Sequence, residues 1–264
     1  MSLATANQLI AGIGGSHVAA FFIVLARVTP LFFIAPMFSS KMIPRRVKAV
    51  VAVALAFGLA PVASHGVHVP DQPLAIAGLI VQSMLVGLAF AFVVAAVFAA
   101  LSHAGAIIDG SAGFSFGGTV DPINGTQSGV LTHLYNTVGV IIFITIGGDA
   151  WMLRGIARTF TLIPLDKGPQ IPSLVGAASS AFGQIFVGAI ELAAPAMLAL
   201  LVTDVAFGMV SRVVPQLNVF AVDFPMKVGV ALLVVAGSLG FLGNWLSDQL
   251  MNSVGSALQA MKIA

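Results

Sequence analysis

Apolar residues run along this chain in long unbroken stretches. Six stand out, at about 17–38, 47–64, 74–101, 130–150, 178–203 and 226–246. A bilayer core roughly 30 Å thick is crossed by about 20 mostly apolar helical residues, and each stretch is of that order. Runs interspersed with glycine and alanine favour helices, whereas a membrane barrel would show period-two alternation. The pattern predicts an all-α integral membrane protein with about six hydrophobic helical segments arranged as hairpins, in a single membrane-embedded domain of residues 1–264.

Prolines and small residues refine that picture. The first stretch holds Arg27, Pro30 and Pro36, and the fifth holds Glu191 and Pro195. Each proline removes a backbone hydrogen bond and crowds the preceding turn, so kinks or breaks are expected there. The small residues of "VVAAVFAALSHAGA" (93–106) and "VGAIELAAPA" (187–196) predict helices packed at close range.

Composition agrees, and excludes much. The 264 residues are 59% hydrophobic and only 8% charged, with a mean hydropathy of +1.07. A soluble domain would carry charge on roughly a quarter of its residues. The pI near 9.3 reflects a formal charge of +2, with no basic patch fit to track nucleic acid. The absence of cysteine excludes disulfides and thiol chemistry. The N-terminus lacks the positive n-region of a signal peptide and reads as mature protein, with insertion through the first hydrophobic segment.

Orientation is less orderly. Lys41, Arg45, Arg46 and Lys48 form the clearest basic cluster and are placed in the cytoplasm. Alternating six crossings from there puts Arg154, Arg158 and Lys167 outside, against the usual bias. Either one segment fails to cross or the hairpins do not lie in a conventional planar arrangement.

Candidate chemistry is sparse. His65 and His68, with Asp71 nearby, converge too little for zinc, and His17, His103 and His133 are isolated at helix ends. No metal ligand, cofactor or catalytic residue is assigned, and no GxSxG, HExxH or Walker-type motif marks an enzyme. The "NGT" tripeptide at 124–126 matches a glycosylation sequon that occurs often by chance. Arg27 and Glu191 lie within membrane segments, where a charge costs on the order of 2.5–3.5 kcal/mol at a helix centre. Glu191 is read either as a proton-responsive group or as a structural one, paired with Arg27 or another basic residue or facing a neighbouring subunit. Asp204, Arg212, Asp223 and Lys227 cluster around Pro215, with Asp223 and Lys227 at i, i+4; they suit an interface or a solvated loop, with an ion-coupled site as the alternative.

One segment stands apart, "GFSFGGTVDPINGTQSG" at 113–129, glycine-rich and set between the third and fourth apolar stretches. Composition alone makes it a flexible connector. Paired phenylalanines on a water-facing loop would be unusual for one.

Three blocks carry a resemblance: "ARVTPLFFIAPMFSSKMIPRRVKAVVAVALA" (26–56), "GFSFGGTVDP" (113–122) and "VSRVVPQLNVFAVDFPMKVGV" (210–230). Together they resemble the FliR family of flagellar export-gate subunits, whose counterparts occur in virulence injectisomes. In the third block the motif falls on Pro215, Gln216, Leu217, Asn218, Phe220 and Pro225; Asp223 departs from the glycine more usual there.

The resemblance implies a non-enzymatic subunit of the type III export gate in the bacterial inner membrane and flagellar basal body. Its implied partners are FliP-like and FliQ-like gate subunits, FlhA-like and FlhB-like export components, membrane lipid and unfolded flagellar proteins in transit. The family's gate is a closed cone around a protein-conducting pore, raised toward the periplasm. The resemblance further implies a pore plug within a loop at about 110–129, formed by Gly113, Phe114, Ser115, Phe116, Gly117, Gly118, Thr119, Val120, Asp121 and Pro122. In it the glycines give freedom, the phenylalanines an apolar seal, and Asp121-Pro122 a fixed end. The alternatives are an injectisome subunit, or an ion-coupled secondary transporter, for which no internal repeat is evident.

Overall fold

The computed structural model describes residues 3–35, 38, 43–65, 67, 70, 72–114, 129–216 and 218–262. Among these the regular structure is helical: α1 (Leu3–Ile34), α2 (Arg45–Ala63), α3 (Pro73–Ala112), α4 (Val130–Thr145), α5 (Gly148–Leu162), α6 (Ile171–Val213) and α7 (Val219–Lys262). Five helices contain spans long and apolar enough to cross a membrane: His17–Ile34, Arg45–Ala63, Pro73–Ala112, Ile171–Val213 and Ala221–Ala260. The all-α membrane reading therefore holds.

The helix lengths differ from the apolar stretches. α3, α6 and α7 have 40, 43 and 44 residues. At 1.5 Å per residue each is about 60–65 Å long, twice the thickness of a bilayer core. Hydropathy marks only the lipid-like part of each helix. The rest, such as "SHAGAIIDGSA" at the end of α3, stays helical without a membrane-grade apolar run and despite its glycines, serines and aspartate, because it packs against α4.

Breaks also fall in other places. The helices continue through Pro30, Pro61, Pro195 and Pro225, while Pro36 lies outside the described residues. α6 does end just before Pro215. The stretch expected as one crossing at 130–150 stops at Thr145, and α4 and α5 are bent by 72°. Gly147 adopts φ 70° there, a left-handed backbone that side-chain-bearing residues resist.

The chain divides into two compact units, Met1–Ala95 with Gly147–Ala181 and Met251–Ala264, and Ala96–Ile146 with Phe182–Leu250. In the first, α1 packs along α2, and the start of α3 crosses α1 at very short range. Ile23, Val24, Val28, Leu31 and Phe32 of α1 and Val86 and Phe90 of α3 are buried there. A Cβ on Gly87 would stand 1.9 Å from the Arg27 carbonyl oxygen, so only glycine permits that approach. Gly87→Ala is expected to lower stability by about 1–3 kcal/mol, the usual cost of overpacking. Thermal unfolding in detergent checks it.

In the second unit, α3 and α4 run antiparallel and are closely fitted along their length. Phe98 meets Phe143 edge to face at 5.4 Å between ring centres. A Cβ on Gly139 would lie 2.6 Å from Leu101 Cδ1, and Ser102 Oγ donates to Asn136 Oδ1 at 2.7 Å. Further along, a Cβ on Gly105 would lie 2.4 Å from Thr132 Cα. Small residues and short polar contacts hold two backbones together here, as expected where lipid supplies no hydrophobic drive between helices.

Candidate functional site

The α3–α4 pair ends at the segment that sequence reading singled out. Gly113, with φ 86°, and Phe114 are described and half-buried; Ser115, Phe116, Gly117, Gly118, Thr119, Val120, Asp121 and Pro122 lie outside the described residues, as do the remaining positions to 128. The stem of that segment is well defined, and its principal residue was missed. Asp109, on the last turn of α3 and 2% exposed, accepts three hydrogen bonds from the start of α4. They come from Leu131 N to Oδ1 at 2.9 Å, Thr132 N to Oδ2 at 2.8 Å and Thr132 Oγ1 to Oδ2 at 2.7 Å.

The need for this contact follows from α4 itself. Its first N–H groups have no partner within the helix, and its N-cap is Gly129, which has no side chain to supply one. A carboxylate from α3 fills the role, with the added benefit of negative charge at the positive end of a helix dipole. A Cβ on Gly129 would lie 1.9 Å from Asp109 Oδ2, so the glycine makes room for the acid. The start of α4 is thereby tied to the last turn of α3, at the two ends of the 113–128 segment.

Arg27 and Glu191 are both met by neutral groups. Arg27, 1% exposed, donates through Nε to Ser83 Oγ at 2.9 Å. Its NH1 donates to the carbonyls of Thr159 and Ile163 at 3.0 and 2.8 Å. The guanidinium also stands 4.5 Å from the centre of the Phe160 ring, a cation–π distance. These groups tie α1 to α3 and to the end of α5, where helix-terminal carbonyls need donors. Glu191 Oε2 accepts from the indole N–H of Trp245 at 3.1 Å, and a Cβ on Gly188, one turn earlier, would press on the same indole at 2.8 Å. The carboxylate thus joins α6 to α7.

Charges around the Pro215 break form a third group. Lys227 bridges to Asp204 and, at 3.0 Å, to Asp223 at i, i+4. Asp223, where the resemblance led one to expect glycine, is thus one of two acids held by a single lysine. Pro215 and Gln216 occupy the turn, both exposed, and Leu217 lies outside the described residues. Asn218 precedes α7, where its main-chain carbonyl accepts from Ala221 N at 3.0 Å and its side chain from the same N–H at 3.4 Å. Asparagine is a preferred residue at that N-cap position. Of Phe220 only the backbone is described, in the first turn of α7; Pro225 lies within α7, exposed. His65 is exposed, while His68 and Asp71 lie outside the described residues.

These features define a class: a helical membrane protein with several long apolar helices, in which buried charged side chains join one helix to another. Residues 18–253 match the family described as bacterial export proteins, family 1, and the chain belongs to that family. It is 31% identical over 218 residues to the flagellar biosynthetic protein FliR of Pectobacterium carotovorum, covering 83% of each chain. It is 32% identical over 216 residues to FliR of Escherichia coli, covering 82% of each. The surface presentation of antigens protein SpaR of Salmonella typhimurium is 27% identical over 212 residues, covering 80% of this chain and 79% of the other.

Proposed function

We propose that the chain is a subunit of the flagellar type III protein export gate in the bacterial inner membrane. The observation that carries this reading is the family match across residues 18–253, joined by flagellar relatives over more than four-fifths of the chain. Its companions are FliP-like and FliQ-like subunits, beside FlhA-like and FlhB-like components, and together they form a pore for unfolded flagellar proteins. Energy enters elsewhere in the apparatus, and this subunit supplies structure with no catalytic step. The gate is raised toward the periplasm, which accounts for the irregular distribution of basic residues.

Within the gate, residues 113–122 form a plug that keeps the pore closed until substrate arrives. The tied stem at Asp109 and Thr132 supports this reading, because a seal needs a fixed base. Deleting residues 113–122 is expected to leave the subunit assembled with its partners but to make the membrane permeable to ions and small solutes. Conductance or dye uptake in cells with a verified gate measures this. An assembled gate that stays tight would refute the plug.

An injectisome role is the second reading, supported by the SpaR relative. The higher identity to FliR favours the flagellum. Restored swimming in a strain lacking its own gate subunit decides between them.

A further inference from the structure

α5 has two unlike faces. Met152, Gly155, Ile156, Thr159 and Phe160 are buried, and Gly155 sits so closely that a Cβ would lie 2.5 Å from Phe90 Cζ. Trp151, Arg154 and Arg158 share the other face at i, i+3 and i+7 and are exposed. With Gly155, and with Val254 and Leu258 from the end of α7, they line a half-open recess of about 100 Å³.

Among the described residues the charge of this recess has no counterpart. Arginines at i, i+4 repel one another, yet among the described residues no acid bridges to either. Asp149, on the same helix, is turned about 140° around the axis from Arg154. In a chain with only nine acidic and eleven basic residues, two neighbouring unpaired guanidiniums are a substantial local charge.

We propose that this recess binds the phosphate headgroup of an anionic phospholipid. Two guanidinium forks one turn apart offer paired N–H donors in the planar geometry that phosphate oxygens accept. Val254 and Leu258 supply an apolar wall for the start of the acyl chains. A tryptophan beside basic residues on a two-faced helix is the arrangement expected where protein meets the headgroup layer. The inference is independent of the plug.

The two tryptophans of the chain make the test direct. In a Trp245→Phe chain, Trp151 is the sole tryptophan reporter. The full chain is reconstituted in phosphatidylcholine bilayers carrying a minor fraction of either dibrominated phosphatidylglycerol or dibrominated phosphatidylcholine. Quenching of Trp151 is expected to show a preference of roughly tenfold or more for the anionic lipid, falling toward unity in the Arg154→Gln/Arg158→Gln variant. If Trp245→Phe disturbs folding, the same signal is obtained by subtracting the emission of a Trp151→Phe chain from that of the wild type. Equal quenching by both lipids, or a preference that survives the double substitution, overturns the proposal. Loss of the preference on adding millimolar inorganic phosphate at constant ionic strength also overturns it, assigning the recess to a soluble anion.

Discussion

Replacing Asp109 by alanine is expected to lower stability by about 2–4 kcal/mol and to loosen the base of the 113–128 segment. The alanine leaves the N–H of Leu131, a residue with no solvent exposure, without an acceptor; such a group costs about 1–3 kcal/mol. Loss of an N-cap adds about 1 kcal/mol. Asp109→Asn separates charge from shape: one oxygen remains, but the new amide group faces a donor, so about half of the loss is expected. Thr132→Val removes only the hydroxyl contact, and about 1 kcal/mol is expected. Thermal unfolding in detergent should rank the three in that order. If the proposed gate role holds, membrane leak should follow the same ranking, which an incidental helix cap would not produce.

Arg27→Met is expected to be comparably damaging, by about 2–4 kcal/mol. Methionine fills much of the volume but leaves the Ile163 carbonyl and Ser83 hydroxyl without their donor inside a buried site. The Thr159 carbonyl suffers less, because Ile163 N already donates to it at 2.9 Å. Arg27→Lys is informative because it keeps the charge. An ammonium cannot reach three acceptors in a fixed fork or lie flat on Phe160, so the substitution should recover only part of the loss. Full stability in Arg27→Lys would show that charge alone matters at this position.

Composition and apolar runs sufficed to read the helical membrane class, because they report solvent and period directly. Helix lengths were harder to read, since the outer halves of α3 and α7 resemble ordinary surface helix. The bend after Thr145 was visible only as the pair Gly147-Gly148, and the same pair at Gly14-Gly15 lies inside the uninterrupted helix α1. Arg27 and Glu191 were legible as unusual, but their partners were not. Backbone carbonyls at a distant helix end leave no mark in composition, and Trp245 lies 54 residues from Glu191. Asp109 could have been found by a different question: α4 begins at a glycine with no capping side chain and no acid in its first turn. A helix start so poorly provided for calls for a donor-satisfying group from elsewhere, and the preceding helix ends in an acid. Asp223 and Lys227, by contrast, were readable as a pair from spacing alone, although their sharing with Asp204 was not.

The length of α6 and α7 has a consequence for handling the protein. A lipid or detergent annulus about 30 Å high shields only half of a 60 Å rod. Yet apolar side chains such as Phe182, Leu201 and Val213 stay exposed along α6, and Leu233 and Phe241 along α7. Produced in excess of whatever covers the remaining half, the chain should clump through those bare flanks. Co-expression with the proposed gate subunits, rather than a stronger detergent, is therefore the sounder route to a monodisperse preparation.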